Sequence, residues 1–136
     1  MVIIIKKLII IISIIVIGII LIEGMRVMFN PLTRSKATIR ENILTQIPLG
    51  THMDETIHFA KNKKGWSDIK IDDANGYSSD VSIKKTVGEK HFSVHAGDYR
   101  SILNLYFFVA DVEIYFGFNE NSELIDIRVR KTIDSL

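Results

Sequence analysis

Four histidines and a scattered set of carboxylates are the side chains in this chain that could do chemistry, and their spacing decides which chemistry is open to them. His91 and His95 stand four apart. On a helix that spacing would put both imidazoles on one face. On a strand it also keeps them on one side, but about 13 Å apart at roughly 3.3 Å per residue, too far for one metal ion. Because Phe92 and Val94 would then point the other way, the pair is expected as two solvated histidines on a strand's outer face, with Asp98 adding no ligand set. His52 and His58 are six apart on a predicted helix and fall on different faces. Asp72-Asp73-Ala74-Asn75-Gly76 lacks the following acid that a calcium loop requires and reads as a turn. Ser13 and Ser35 have no accompanying base, and neither a glycine-rich phosphate loop nor G-x-S-x-G occurs. The residues thus point away from an enzyme, with no catalytic residue, no metal ligand and no cofactor expected. A small hydrolase or metal-dependent enzyme is the alternative, and it would need the histidines and acids to converge in a pocket.

Recognition is the chemistry that remains. Tyr99, Tyr106, Phe107, Phe108 and Tyr115 cluster around the central strands, and most are expected in the core. Tyr115 and Tyr99, with Arg100, Arg128 and Arg130, form a candidate protein-binding set on the water-facing side, since tyrosine and arginine dominate interface hot spots. Lysine and arginine number 17 against 16 acids, and removing Lys6, Lys7, Arg26 and Glu23 leaves the part from Thr33 onward close to neutral. That balance argues against a nucleic-acid partner, which needs a basic face to release counterions.

The elements that must position these residues follow from periodicity. Ser67 onward alternates rather than repeating at helical spacing, with a turn at Asp72–Gly76, short alternating runs at Val81-Ser82-Ile83 and Phe92-Ser93-Val94, and Gly88 and Gly97 as punctuation. The clearest strand is Val112 to Phe118, with Val112, Ile114, Phe116 and Phe118 on one side. Asn119 to Ser122 turns the chain into a second run in which Ile125, Ile127 and Val129 face in and Asp126, Arg128 and Arg130 face out. Ahead of the strands, Thr33 or Ser35 is expected to cap a helix to about Gln46, with Ala37, Ile39, Ile43, Leu44 and Ile47 as its apolar stripe. Pro48 and Gly50 end it. Thr51 with Asp54 and Glu55 approximates a capping box for a helix over 52–64 that Gly65 stops, Met53, Ile57 and Ala60 sharing one face and Trp66 folding back on its end. The fold class expected is α+β: an N-terminal transmembrane helix, then two helices on one face of a three- to four-stranded antiparallel meander. Residues 1–32 form the anchor and connector, and 33–136 the binding domain.

The anchor is the apolar run from Val2 to Ile22, interrupted by Lys6, Lys7, Ser13 and Gly18. As a helix it would rise about 32 Å, enough for a hydrocarbon core of about 30 Å. It is apolar on every face, unlike a helix that packs on a soluble core. No A-x-A-like triplet follows it and there is no cysteine to carry a lipid, so an uncleaved single span is expected over a signal peptide whose cleavage would release the domain. The short basic tail favours a cytoplasmic N-terminus, although Arg26, Arg34 and Lys36 balance it, which places the domain in the periplasm or at the cell surface. A cytoplasm-facing subunit of a membrane complex is the opposite orientation.

The stretch Ile47-Pro48-Leu49-Gly50-Thr51, with Asp54-Glu55 and Ile57, resembles the helix start of small exported domains of the SmpA/OmlA and β-lactamase-inhibitory-protein type. Tyr115-Phe116-Gly117-Phe118-Asn119-Glu120 and Leu124-Ile125-Asp126-Ile127, closing on Lys131 and Asp134-Ser135-Leu136, are similar to the terminal hairpin of related bacterial proteins. The resemblance covers about 40–136 and implies two helices on an antiparallel sheet that binds another protein, as an inhibitor or immunity-type factor or an envelope accessory subunit. The chain departs from it in having an Ile-rich apolar segment where those domains carry a lipid-modified cysteine.

Overall fold

A computed structural model describes residues 1–79, 85–100 and 108–134. The first helix, α1, runs Val2–Phe29, seven residues past Ile22, before Asn30 and Pro31 stop it. No residue of α1 is buried, so its isoleucines are exposed all round. A short 3₁₀ turn at Pro31–Thr33 follows, and it is pinned to the sheet because the Lys131 ammonium donates to the carbonyls of Leu32 and Arg34, 2.6 Å each.

Helix α2 spans Lys36–Leu44, capped by Ser35, whose Oγ accepts the Thr38 amide at 3.1 Å. Ile39, Ile43 and Ile47 are buried as the periodicity requires, while Ala37 stays in solvent. Helix α3 spans Met53–Asn62, and its cap is His52 rather than Thr51. The His52 Nδ1 accepts the Asp54 amide at 3.3 Å, whereas the Thr51 hydroxyl donates back to Pro48. Met53, Thr56 and Ala60 are its buried face, and Trp66 returns to pack edge-on against Phe59, ring centres 5.8 Å apart.

Strands β1 (Ser67–Asp72), β4 (Lys90–Arg100), β5 (Val109–Phe118) and β6 (Leu124–Asp134) form one antiparallel sheet in the order β1-β4-β5-β6. The α+β class is therefore as expected from the sequence, with both helices on one side of four strands. On that side Phe92 stacks on Phe116 at 4.5 Å and on Phe118 at 5.7 Å, and Val94, Val112, Ile114, Leu124 and Ile127 complete the buried layer. Of three register shifts in the sheet, two set which residues of β4, β5 and β6 face where. One, between His95 and Gly97 on β4, shifts Tyr99 onto the helix side, opposite Ala110. The other pairs Gly117 with Asp126 but Phe118 with Leu124. Leu124 is consequently buried and Ile125, expected inside, is 40% exposed.

Two further strands, β2 (Tyr77–Ser78) and β3 (Thr86–Val87), pair as a small ribbon over the opposite, open face of the sheet. Gly117 makes this possible. A Cβ there would lie 2.7 Å from Tyr77 Cε1, so only glycine lets the ring of Tyr77 descend onto β5. The alternating run Val81-Ser82-Ile83, the aromatics Tyr106 and Phe107, and the closing Ser135-Leu136 lie outside the described residues.

Candidate functional site

The polar residues of β4, β5 and β6 alternate out of the core and so share the open face. Across β4 and β5, His95 stands opposite Glu113 and Asp98 opposite Asp111. Across β5 and β6, Glu113 stands opposite Arg130 and Tyr115 opposite Arg128. The bulge at Ala96 and Gly97 matters here. With regular alternation Asp98 would face the helices; the extra residue returns it to the side of His95. Gly97, at φ +124°, takes a backbone conformation that side-chain-bearing residues rarely adopt.

Three titratable groups meet as a result. The Nδ1 of His95 lies 2.7 Å from Asp111 Oδ1, and its Nε2 lies 3.5 Å from Asp98 Oδ1. His95 is expected from the sequence to be solvated, yet its side chain is only 27% exposed. Burial, with the neighbouring Asp98 carboxylate, pushes the Asp111 carboxyl above its usual range, against the opposing pull of His95. Beside this group the Tyr115 hydroxyl donates to Glu113 Oε2 at 2.8 Å, and Arg130 approaches the same oxygen at 3.9 Å. Burial and that hydrogen bond raise the Tyr115 phenol.

The other end of the open face is closed by the ribbon. Tyr77 is buried against Tyr115 and His91, ring centres 5.8 and 6.4 Å away, and its hydroxyl donates to Asp126 Oδ2 at 2.7 Å. Arg40 of α2 reaches round the edge to Asp126 Oδ1 at 2.8 Å and to the carbonyl of Ile127 at 2.9 Å. Arg128 donates to the carbonyl of Ser78. Burial opposes charge on Asp126, but the hydrogen bonds from Tyr77 and Arg40 outweigh it and hold this carboxyl below its usual range. His91 is half-buried under Tyr77, with Nδ1 2.7 Å from the carbonyl of Asn75. Asn75 belongs to the predicted turn, where the amides of Ala74 and Asn75 donate to Asp72 and lower its carboxyl.

Of the five residues proposed for recognition, Tyr115, Arg128 and Arg130 come together on the open face, and alternation puts Arg100 there too. Tyr99 does not join them. It lies on the helix side, where its hydroxyl is 3.2 Å from the Lys131 ammonium. The histidines remain apart: His52 caps α3, His58 accompanies Asn62, His91 sits under the ribbon and His95 sits between carboxylates. Sequence reading missed Asp111, Tyr77, Asp126 and Arg40. Asp111 carried a usable signal, since extending the alternation of β5 back past Val112 puts Asp111, Glu113 and Tyr115 on one side.

A concavity of about 320 Å³ lies on the other side of the sheet, lined by Leu32, Ile39, Ile43, Trp66 and Ile114 with Lys63 at its rim. It is separated from the carboxylates and His95 by the sheet itself.

Removing the Asp126 carboxylate should unlock the ribbon edge. Asp126→Ala leaves the Tyr77 hydroxyl and the Arg40 guanidinium without their shared acceptor, a loss of about 1–2 kcal/mol at neutral pH after allowing for partial solvent exposure. The folded-state carboxyl sits below its unfolded value, so the stabilisation is complete above the ordinary carboxylate range, roughly pH 4–5, and disappears as pH falls through the folded pKa. Urea midpoints of wild type and variant should therefore differ at pH 7 and converge toward pH 3; a constant difference would mean that charge on Asp126 plays no part.

Compared with protein-family models, with curated proteins and with solved structures, the chain shows no significant match.

Proposed function

We propose that the chain is a single-span bacterial membrane protein that holds residues 33–136 outside the cytoplasm as a protein-binding domain, an inhibitor or immunity-type factor or an envelope accessory subunit. The observation that carries this reading is the division of the sheet. Its helix side is largely covered by α2 and α3, while the open face, beside the ribbon, carries Glu113, Tyr115, Arg128 and Arg130 in adjoining ladder positions. Tyrosine and arginine held in place by neighbours bind with less ordering cost than free ones, which is what a recognition surface needs. The same two-helices-on-a-sheet arrangement is what the resemblance to the SmpA/OmlA and β-lactamase-inhibitory-protein type implies, and that resemblance supports a protein partner.

The anchor half of the reading rests on α1, one helix long and apolar enough to cross a bilayer. Lys6 and Lys7 at one end and Glu23 and Arg26 at the other are spaced to reach the two headgroup regions. The separation of the concavity from the titratable cluster supports a non-enzymatic role. No nucleic acid and no small-molecule cofactor enters the reading.

Crosslinking in intact membranes followed by affinity capture of the full chain tests it. Arg130→Ala, at a side chain 48% exposed whose ion pair with Glu113 is a loose 3.9 Å, should cut recovery of the crosslinked partner about ten-fold while leaving the unfolding free energy within about 1 kcal/mol of wild type. Equal recovery from both proteins would remove the open face from recognition. Intact mass of the membrane-extracted chain separates an uncleaved anchor, which retains residues 1–22, from a processed signal peptide.

A further inference from the structure

We infer that His95, Asp98 and Asp111 form a site for one divalent transition-metal cation on the open face of the sheet. One nitrogen and one oxygen from each carboxylate lie within 4.8 Å of one another. Zinc binds nitrogen and carboxylate oxygen at about 2.0–2.2 Å, which separates tetrahedral ligand atoms by roughly 3.5 Å. The two carboxylates now face different ring nitrogens, Asp111 at 2.7 Å from Nδ1 and Asp98 at 3.5 Å from Nε2, so chelation through one nitrogen turns the imidazole and swings Asp98, whose side chain is 55% exposed.

Like charges facing each other across a strand pair oppose pairing, and Asp98 and Asp111 are direct cross-strand partners with Glu113 at the next open-face position of β5. His95 stands between the two aspartates, one ring nitrogen toward each. A dication would offset both carboxylate charges. The donor set selects among metals. Calcium takes six to eight oxygens, whereas an imidazole with two carboxylates suits zinc, manganese or iron and leaves a position for water or for a partner's side chain. The site stands on these three residues alone and needs neither the membrane anchor nor a protein partner.

Zinc chloride titrated calorimetrically into the metal-stripped full-length protein in non-ionic detergent at pH 7 tests the assignment. One ion per chain is expected, and His95→Ala and the double substitution Asp98→Asn with Asp111→Asn should each weaken binding at least about ten-fold. His58→Ala and His91→Ala should bind as wild type does. Circular dichroism without metal establishes that each variant is folded, and Asp98→Asn alone, at an exposed position and nearly isosteric, supplies a ligand variant whose fold is not at stake. Two results overturn the site: no uptake by wild type at about 1 mM zinc, or uptake unchanged by Asp98→Asn and the other ligand substitutions, which would mean that the ion sits elsewhere and that His95 is only the bridge of a proton-linked carboxylate pair.

Discussion

Phe116→Ala is expected to cost about 3–5 kcal/mol, because the ring is fully buried between Phe92 and Trp66 and the layer around it cannot collapse into the space. Phe92 is held by β4 and Trp66 by the end of α3, so each is fixed by its own backbone pairing or helix contact. A small domain is stable by about 5–15 kcal/mol in total, so the loss is at least about a fifth of the margin. Trp66 is the sole tryptophan and lies 6.1 Å from Phe116, which makes its fluorescence a direct reporter of this part of the core. In detergent-solubilised full-length protein the urea midpoint followed at Trp66 should fall steeply, and a loss below about 1 kcal/mol would show that the three rings do not form the centre of the fold.

The same measurement distinguishes what the sequence could say about the terminal hairpin from what it could not. Strict alternation put Ile125, Ile127 and Val129 inside, and for Ile127 and Val129 that is where they are. The bulge at Gly117 and Phe118 breaks the pattern for one residue and exchanges Leu124 for Ile125. Leu124→Ala should thus cost about 2–5 kcal/mol, while Ile125→Ala, half in solvent, should cost under about 1 kcal/mol.

Both bulges are pairing events. Their cause is the fit of one strand against another, which no window along a single strand contains. That is why Tyr99 was expected beside Tyr115 and lies instead beside Lys131, and why the partnership of His95 with Asp111, sixteen residues away, was not legible. Helix ends, by contrast, are local. Ser35 and Asn30-Pro31 act where their backbone chemistry says they should, whereas α3 ends at Asn62 with Lys63 as its cap, two residues before the end expected ahead of Gly65, and the choice between Thr51 and its neighbour His52 as cap went to tertiary context, with Thr51 drawn into pairing between its carbonyl and Leu124. The Tyr77 ribbon was hidden for a third reason: its register depends on a missing side chain, at Gly117, and a glycine in an alternating strand does not say what approaches it.

Two arginines in the middle of α1, Ile12→Arg with Ile15→Arg, should abolish membrane retention, whereas either one alone should not. The argument is one of magnitude. Leu8 to Ile22 contains thirteen apolar side chains, each favouring insertion by about 0.3–0.6 kcal/mol, together about 4–8 kcal/mol. An arginine near the helix centre costs about 2.5–3.5 kcal/mol on the same scale. One substitution leaves a net gain, particularly as α1 continues to Phe29 and can shift along its axis to move a single charge toward the headgroups. Two charges three residues apart share one side of the helix, cannot both escape by such a shift, and cancel the gain of the whole segment. Flotation of membranes through a density gradient after alkaline carbonate separates inserted protein from aggregate, which does not float. Wild type and both single variants should float and the double variant should remain at the bottom. A double variant that floats with wild type would mean that something other than α1 holds the chain to the bilayer, and the open face of the sheet would then have to be reconsidered as a surface that meets lipid rather than protein.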